Sequence, residues 1–205
     1  MARILWARHG QNVANITRTF SYRVFDGDLT STGRQQAARL AERLAVQDDR
    51  IGQVVCSPLR RARQTAEIVV ARLGLPAAAE LDELRELNVG SLDGRSDPQA
   101  WAAYDAVLAA WTAGQGRARF PGGEDYAELC ARLRHAMVTV ASRPGHRISL
   151  IVAHGASLRA ALPALTGVAD PGSDLAPGAV ASFEISTGPQ GPGIRLLAWP
   201  PSQPG

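Results

Sequence analysis

The stretch Arg3-Ile4-Leu5-Trp6-Ala7-Arg8-His9-Gly10 carries a short apolar run directly into an arginine, a histidine and a glycine. Residues 3 to 7 are too few for a helix and read as a buried strand ending at Arg8. The order apolar run, histidine, glycine recurs once, without the arginine. Ile148-Ser149-Leu150-Ile151-Val152-Ala153 is the strongest strand signal in the sequence and runs into His154-Gly155. Ile51 to Cys56 is a further buried strand, leading into Ser57-Pro58. Helical patterns follow each of these strands, which predicts an α/β fold: a three-layer sandwich with a largely parallel central sheet flanked by helices. Ligands of such sheets sit beyond the carboxyl ends of the strands, so the loops bearing His9, Ser57 and His154 should share one edge.

The segment from Asn15 to Asp28 lacks a clean period and reads as a loop. A helix begins near Thr32-Gly33 with Ser31 or Thr32 as its cap, burying Ala37, Leu40, Ala41 and Leu44. A second helix starts at Ser57-Pro58, serine capping and proline in the first turn, and stops at Gly74. Trp101, Tyr104, Leu108 and Trp111 recur at helical spacing. Packing on the body of the domain is the plain reading of that aromatic face, a substrate cage the alternative. A long helix from about Glu124 to Ser142 follows the break at Pro121-Gly122-Gly123, and another runs from Ala156 to about Leu165. Ala179 to Ile185 and Ile194 to Trp199 flank a Gly/Pro-rich turn and predict a C-terminal antiparallel hairpin. One domain, residues 1–199, accounts for all of this, with 95–122 as a candidate lid insertion and 200–205 as a frayed tail.

All 22 basic residues are arginine, which excludes a P-loop lysine, a Schiff-base lysine and a lysine general base. The net charge is +3, but the arginines are dispersed among 19 acidic residues and form no basic block, so nucleic acid is not an expected partner. No signal-like segment and no apolar run of about 18 residues occurs, which predicts a cytoplasmic protein with no membrane partner. Cys56 and Cys130 lack disulfide or zinc spacing and read as buried thiols. No metal or cofactor is expected.

Of the four histidines, His9 and His154 alone share the context strand, histidine, glycine, whereas His135 and His146 fall on a helix and in a turn. Arg60 and Arg61 begin a helix just after a strand, where the helix N-terminus itself favours anions. Together with Arg8 they describe a pocket for a phosphate dianion facing a neutral imidazole. An alkoxide leaving group needs a proton, and Glu86 is the candidate donor, with Glu83 and Asp93 competing on spacing.

These residues fall in six blocks: Arg8-His9-Gly10-Gln11-Asn12-Val13-Ala14-Asn15, Leu29 to Ala37, Ser57-Pro58-Leu59-Arg60-Arg61-Ala62-Arg63-Gln64-Thr65-Ala66, Leu84-Arg85-Glu86 with Gly90 and Gly94, Pro121-Gly122-Gly123-Glu124, and Val152-Ala153-His154-Gly155. In that order they resemble the histidine phosphatase superfamily, also called phosphoglycerate mutase-like. The resemblance implies that His9 is the nucleophile that becomes phosphohistidine, that Arg8, Arg61 and His154 hold the phosphate, and that Glu86 donates the proton and later activates water, with His154 counted among the catalytic residues. It places Asn15 at the substrate entrance. Gly10 and Gly155 read as turn glycines, Gln64 and Thr65 as helix support, and Gln36 as surface or site. Two positions depart from the family's pattern: Asn12 stands where serine or threonine is usual, beside His9 and in reach of substrate, and Asp28 stands where proline is common.

The resemblance implies a metal-independent phosphomonoester hydrolase for a small phosphorylated metabolite. A cofactor-dependent phosphoglycerate mutase is the alternative, and an inactive phosphate- or phosphopeptide-binding module the third reading. Phe20, Tyr22, Phe25 and the aromatic helix can wall the entrance, and Arg18, Arg23, Arg117 or Arg119 can read a second anionic group. A homodimer is compatible with all three readings.

Overall fold

The computed structural model describes residues 1–46, 50–145, 147–188 and 191–201; His146 and the end of the tail, residues 202–205, fall outside them. In chain order the elements are β1 (Ala2–Arg8), α1 (Val13–Thr17), α2 (Ser31–Val46), β2 (Gln53–Cys56), α3 (Arg60–Leu73), β3 (Ala79–Glu80), α4 (Pro98–Thr112), α5 (Tyr126–Ala141), β4 (Ile148–Ala153), α6 (Gly155–Thr166), β5 (Val180–Gly188) and β6 (Gly191–Ala198). Single 3-10 turns cover Asp82–Leu84 and Gly90–Leu92.

The sheet has the order β3-β2-β4-β1-β5-β6. Its first four strands are mutually parallel, β5 runs antiparallel to β1, and β5 and β6 form the expected hairpin. Period-two alternation divides the core between the two faces. Ile4, Trp6, Ile151 and Ala153 face α5 and α6, which contribute Leu129, Leu133, Met137, Leu158 and Leu162. Leu5, Ala7, Leu150 and Val152 face the other way, onto Leu40 and Leu44 of α2 and Ala66 and Val69 of α3. The result is the three-layer sandwich. Trp6, fully buried, donates its indole N–H to the His154 carbonyl at 3.1 Å, which ties the interior of β1 to the end of β4.

Several local expectations are corrected. Thr30, not Ser31 or Thr32, caps α2: its hydroxyl accepts the Gly33 N–H at 3.0 Å. Helix α3 begins at Arg60 rather than at Ser57-Pro58, and its residue Leu59 offers no capping side chain. The cap comes from the loop between α1 and α2, where both oxygens of Asp26 accept the Arg60 N–H at 3.0 Å. The segment from Asn15 to Asp28 is not wholly irregular, since Asn12 and Asn15 form a reciprocal capping box that starts α1. Helix α5 starts at Tyr126 on an Asp125/Glu128 capping box, two residues later than expected. Cys56 is buried as expected, whereas Cys130 is only half-buried. Among the described residues no helix is long and apolar enough to cross a membrane.

Candidate active site

Strands β1, β2 and β4 end side by side, and the loops leaving them bring His9, Ser57 and His154 to one edge. His9 is 2% exposed at the floor of a cavity of about 210 Å³. Two contacts set its proton. Nδ1 lies 2.7 Å from the Gly10 carbonyl, which can only accept, so Nδ1 carries the hydrogen. Nε2 receives the Arg61 Nε–H at 3.0 Å, so this nitrogen presents its lone pair. Burial, then the charges of Arg61 and Arg8, hold the imidazole pKa well below its ordinary value, against a smaller opposing pull from the Gly10 carbonyl. At neutral pH the ring is uncharged, with its free nitrogen toward the arginines.

Arg61 is itself buried, which pulls its pKa down to about 10 and leaves it protonated. Its remaining nitrogens are pinned by Ser21, Nη1 on the hydroxyl and Nη2 on the carbonyl, both at 2.9 Å, with Asp26 at 3.7 Å. Arg8 donates to the Leu175 carbonyl at 2.8 Å and lines the same cavity. Gly10 and Gly155 both lack a positive φ, and Gly155 is the first residue of α6, so left-handed backbone is not what calls for glycine there. A β-carbon on Gly10 would overlap the backbone of Gly33, and one on Gly155 would come within 2.9 Å of Arg8 Cδ. Both are small so that the site can close up around the nucleophile.

His154 has no exposed surface and stands edge-on to His9, ring centroids 5.1 Å apart. Of the residues that the resemblance places in the catalytic and phosphate-binding set, His154 alone does not line the cavity. Ser57, freed from the capping role, bonds His154 Nε2 at 2.8 Å and accepts the Leu59 N–H at 3.3 Å. The buried Nδ1 of His154 and the buried Nδ2 of Asn12 find no partner among the described residues. Unpaired buried polar atoms are costly, and a pair of them beside a cationic pocket suits an anionic guest. Burial, then the charge of Arg61, also holds His154 well below the ordinary imidazole range. Asn15 lines the cavity on the solvent side.

Of the three competing acids, Glu86 alone lines the cavity. Its Oε1 accepts the Ser157 N–H at 2.7 Å and the Leu87 N–H at 3.0 Å, which caps the open N-terminus of α6. Oε2 has no hydrogen bond among the described residues. Asp93 is instead committed to the backbone N–H groups of Tyr22, Arg23 and Val24, and Glu83 faces His135 at 4.0 Å. Arg132 anchors the turn that carries Glu86 by donating to the carbonyls of Glu83, Arg85 and Glu86. It is held in turn by Glu124, 5% exposed, at 2.7 Å.

Ser21, Asp26 and Arg132 escaped the sequence reading, and Ser57 was placed on the shared edge only as a helix cap, not as the partner of His154. Serine and aspartate in loops signal turns and caps equally well, and only Ser57, directly after a predicted strand, stood where a signal was available. The supporting glutamines bridge loops rather than bracing a helix: Gln64 accepts the Leu29 N–H and donates to Asp28, and Gln36 accepts the Gln11 N–H. Thr65 accepts the Gly10 N–H at 3.1 Å. Phe20, Trp101, Tyr104 and Arg18 line the cavity, whereas Tyr22, Phe25, Arg23, Arg117 and Arg119 do not.

The profile of the histidine phosphatase superfamily (branch 1) matches residues 4–198. A protein of Erwinia tasmaniensis named probable phosphoglycerate mutase GpmB is 33% identical over 168 residues, covering 82% of this chain and 76% of that protein. Among solved structures, a mycobacterial glucosyl-3-phosphoglycerate phosphatase complexed with VO3 is similar with a TM-score of 0.80 and 27% identity, over 98% of this chain and 100% of that one. A structure described as mycobacterial hydrolase 1 is similar with a TM-score of 0.79 and 26% identity, over 99% and 100% of the two chains.

Proposed function

Because the chain belongs to the histidine phosphatase superfamily, we propose that it is a phosphomonoester hydrolase that passes the phosphoryl group of a small phosphorylated metabolite through His9 to water. The observation that carries this reading is the proton placement on His9: Nδ1–H on the Gly10 carbonyl, and Nε2 unprotonated beside Arg61 at 3.0 Å.

Arg8 and Arg61 neutralise the phosphate oxygens, Asn12 Nδ2 donates to one of them, and His154, edge-on to His9, backs the imidazole from behind. As the phosphate enters, the Arg61 Nε–H leaves His9 Nε2 for a phosphate oxygen; the freed Nε2 lone pair forms the bond to phosphorus as the bond to the alcohol oxygen breaks, and the Glu86 carboxyl hands that oxygen its proton. Water then attacks the phosphohistidine. Glu86, now a carboxylate, takes the water proton, the nitrogen–phosphorus bond breaks, and inorganic phosphate leaves. Each step is assigned to side chains.

The name of the Erwinia relative favours a second reading, in which the same phosphohistidine returns its group to a sugar-acid acceptor. Free phosphate release and isomerisation of 3-phosphoglycerate, measured side by side, separate the two. We expect release in the presence of EDTA, abolished in His9→Ala. Clean isomerisation without release would replace hydrolase by mutase, and full turnover in His9→Ala would end both.

A further inference from the structure

Beside the phosphate pocket lies a much larger cavity of about 760 Å³, and the two share Arg8, Glu86, Trp101, Tyr104 and Ala156 as common walls. Volumes of this order hold ligands of many heavy atoms. One wall is the aromatic face of α4, where Trp101, Tyr104, Leu108 and Trp111 follow one another at helical spacing. The opposite wall is the Ala156, Ala160 and Pro163 face of α6, the helix that Glu86 caps. The aromatic face packs on the body of the domain and also borders the cavity. Trp101 and Tyr104 pack on Phe20 with centroids 4.5 and 5.1 Å apart, and the same side chains bound the cavity.

The far end is net negative. Arg159 is paired with Asp170 at 3.5 Å and Asp174 at 3.3 Å, two carboxylates to one guanidinium. A carboxylate-bearing alcohol reaching that rim would meet a guanidinium already shared by two carboxylates, and the other cation on these walls, Arg8, also belongs to the phosphate pocket, whereas an aryl group would cover apolar wall at no electrostatic cost.

On this basis, resting on the hydrolase reading above, we infer that the α4–α6 cavity is the leaving-group subsite, and that the substrate class is a phosphomonoester of an alcohol bearing an aromatic ring system and no acidic group. The shared walls place such a ring one step beyond the proton that Glu86 delivers.

The test compares ethyl phosphate, 2-(2-naphthyl)ethyl phosphate and 3-phosphoglycerate, the first two being primary alkyl esters that differ chiefly in the ring. The naphthyl ester should exceed ethyl phosphate in kcat/KM by about 100-fold, as expected for filling an apolar pocket with many carbons. 3-Phosphoglycerate should do no better than ethyl phosphate. Leu108→Arg and Ala160→Trp should each cut the naphthyl-to-ethyl ratio about tenfold. A ratio taken within one preparation is independent of the folded fraction. Equal kcat/KM for the two esters, or a ratio unmoved in both variants, overturns the subsite while continued hydrolysis of ethyl phosphate leaves the hydrolase reading standing. If none of the three is hydrolysed, both fall.

Discussion

Neutral histidines at positions 9 and 154 are a consequence of where they sit, and that has a cost in acid. Each is buried among arginines, and each has a folded-state pKa well below 6.5. An unfolded chain titrates its imidazoles near 6.5. Between those values the unfolded chain binds protons that the folded chain refuses. The contribution is fully present above about pH 6.5 and is lost as pH falls below it, by up to about 1.4 kcal/mol per pH unit for each histidine. We expect the urea midpoint of the wild-type protein to drop more between pH 7 and pH 5.5 than that of a His9→Asn, His154→Asn double variant. Equal drops would show that the imidazoles are not held neutral. In the same way, His9 in its proposed role as nucleophile needs no general base at neutral pH, because the Gly10 carbonyl and Arg61 leave Nε2 as its unprotonated nitrogen.

At the scale of elements, the turn bearing Glu86 depends on α5, which supplies Arg132, and on Glu124 just ahead of it. Removing one member of that pair leaves the other charged, half-buried or buried, and short of partners. Glu124→Ala should destabilise the protein by about 3 kcal/mol and lower kcat more than it raises KM, because it loosens the turn behind the proton donor. A loss of stability with kcat unchanged would uncouple the pair from Glu86. The elements themselves were legible to different degrees. Strands β1, β2 and β4 and helices α2, α3, α5 and α6 announced themselves by apolar period. Strand β3, two residues long, carries no period to detect, and α1 is a single turn whose Asn12/Asn15 box lacks the usual serine-and-glutamate signature. The cap of α3 could not be read locally, because Asp26 reaches it from a distant loop.

Taken whole, the molecule gathers onto one sheet edge residues that are as much as 145 positions apart in the chain, from His9 to His154, and adds to them a cavity walled by two helices. His9, Arg8, Arg61, Glu86, Asn12 and Asn15 were legible as candidates because each follows a strand or lies in a motif, and the fold places all six on the same cavity. His154 was legible too, as a phosphate-pocket residue, whereas the fold sets it behind His9 and off the cavity surface. The larger cavity was not legible, since the spacing of Trp101, Tyr104, Leu108 and Trp111 is the same whether a helix packs on a core or faces a void. The central claim concerns His9. Rapid quenching of the protein with phosphorus-labelled ethyl phosphate should yield an acid-labile, alkali-stable label on the peptide containing His9, absent from His9→Ala; turnover with no label on that peptide would contradict the account.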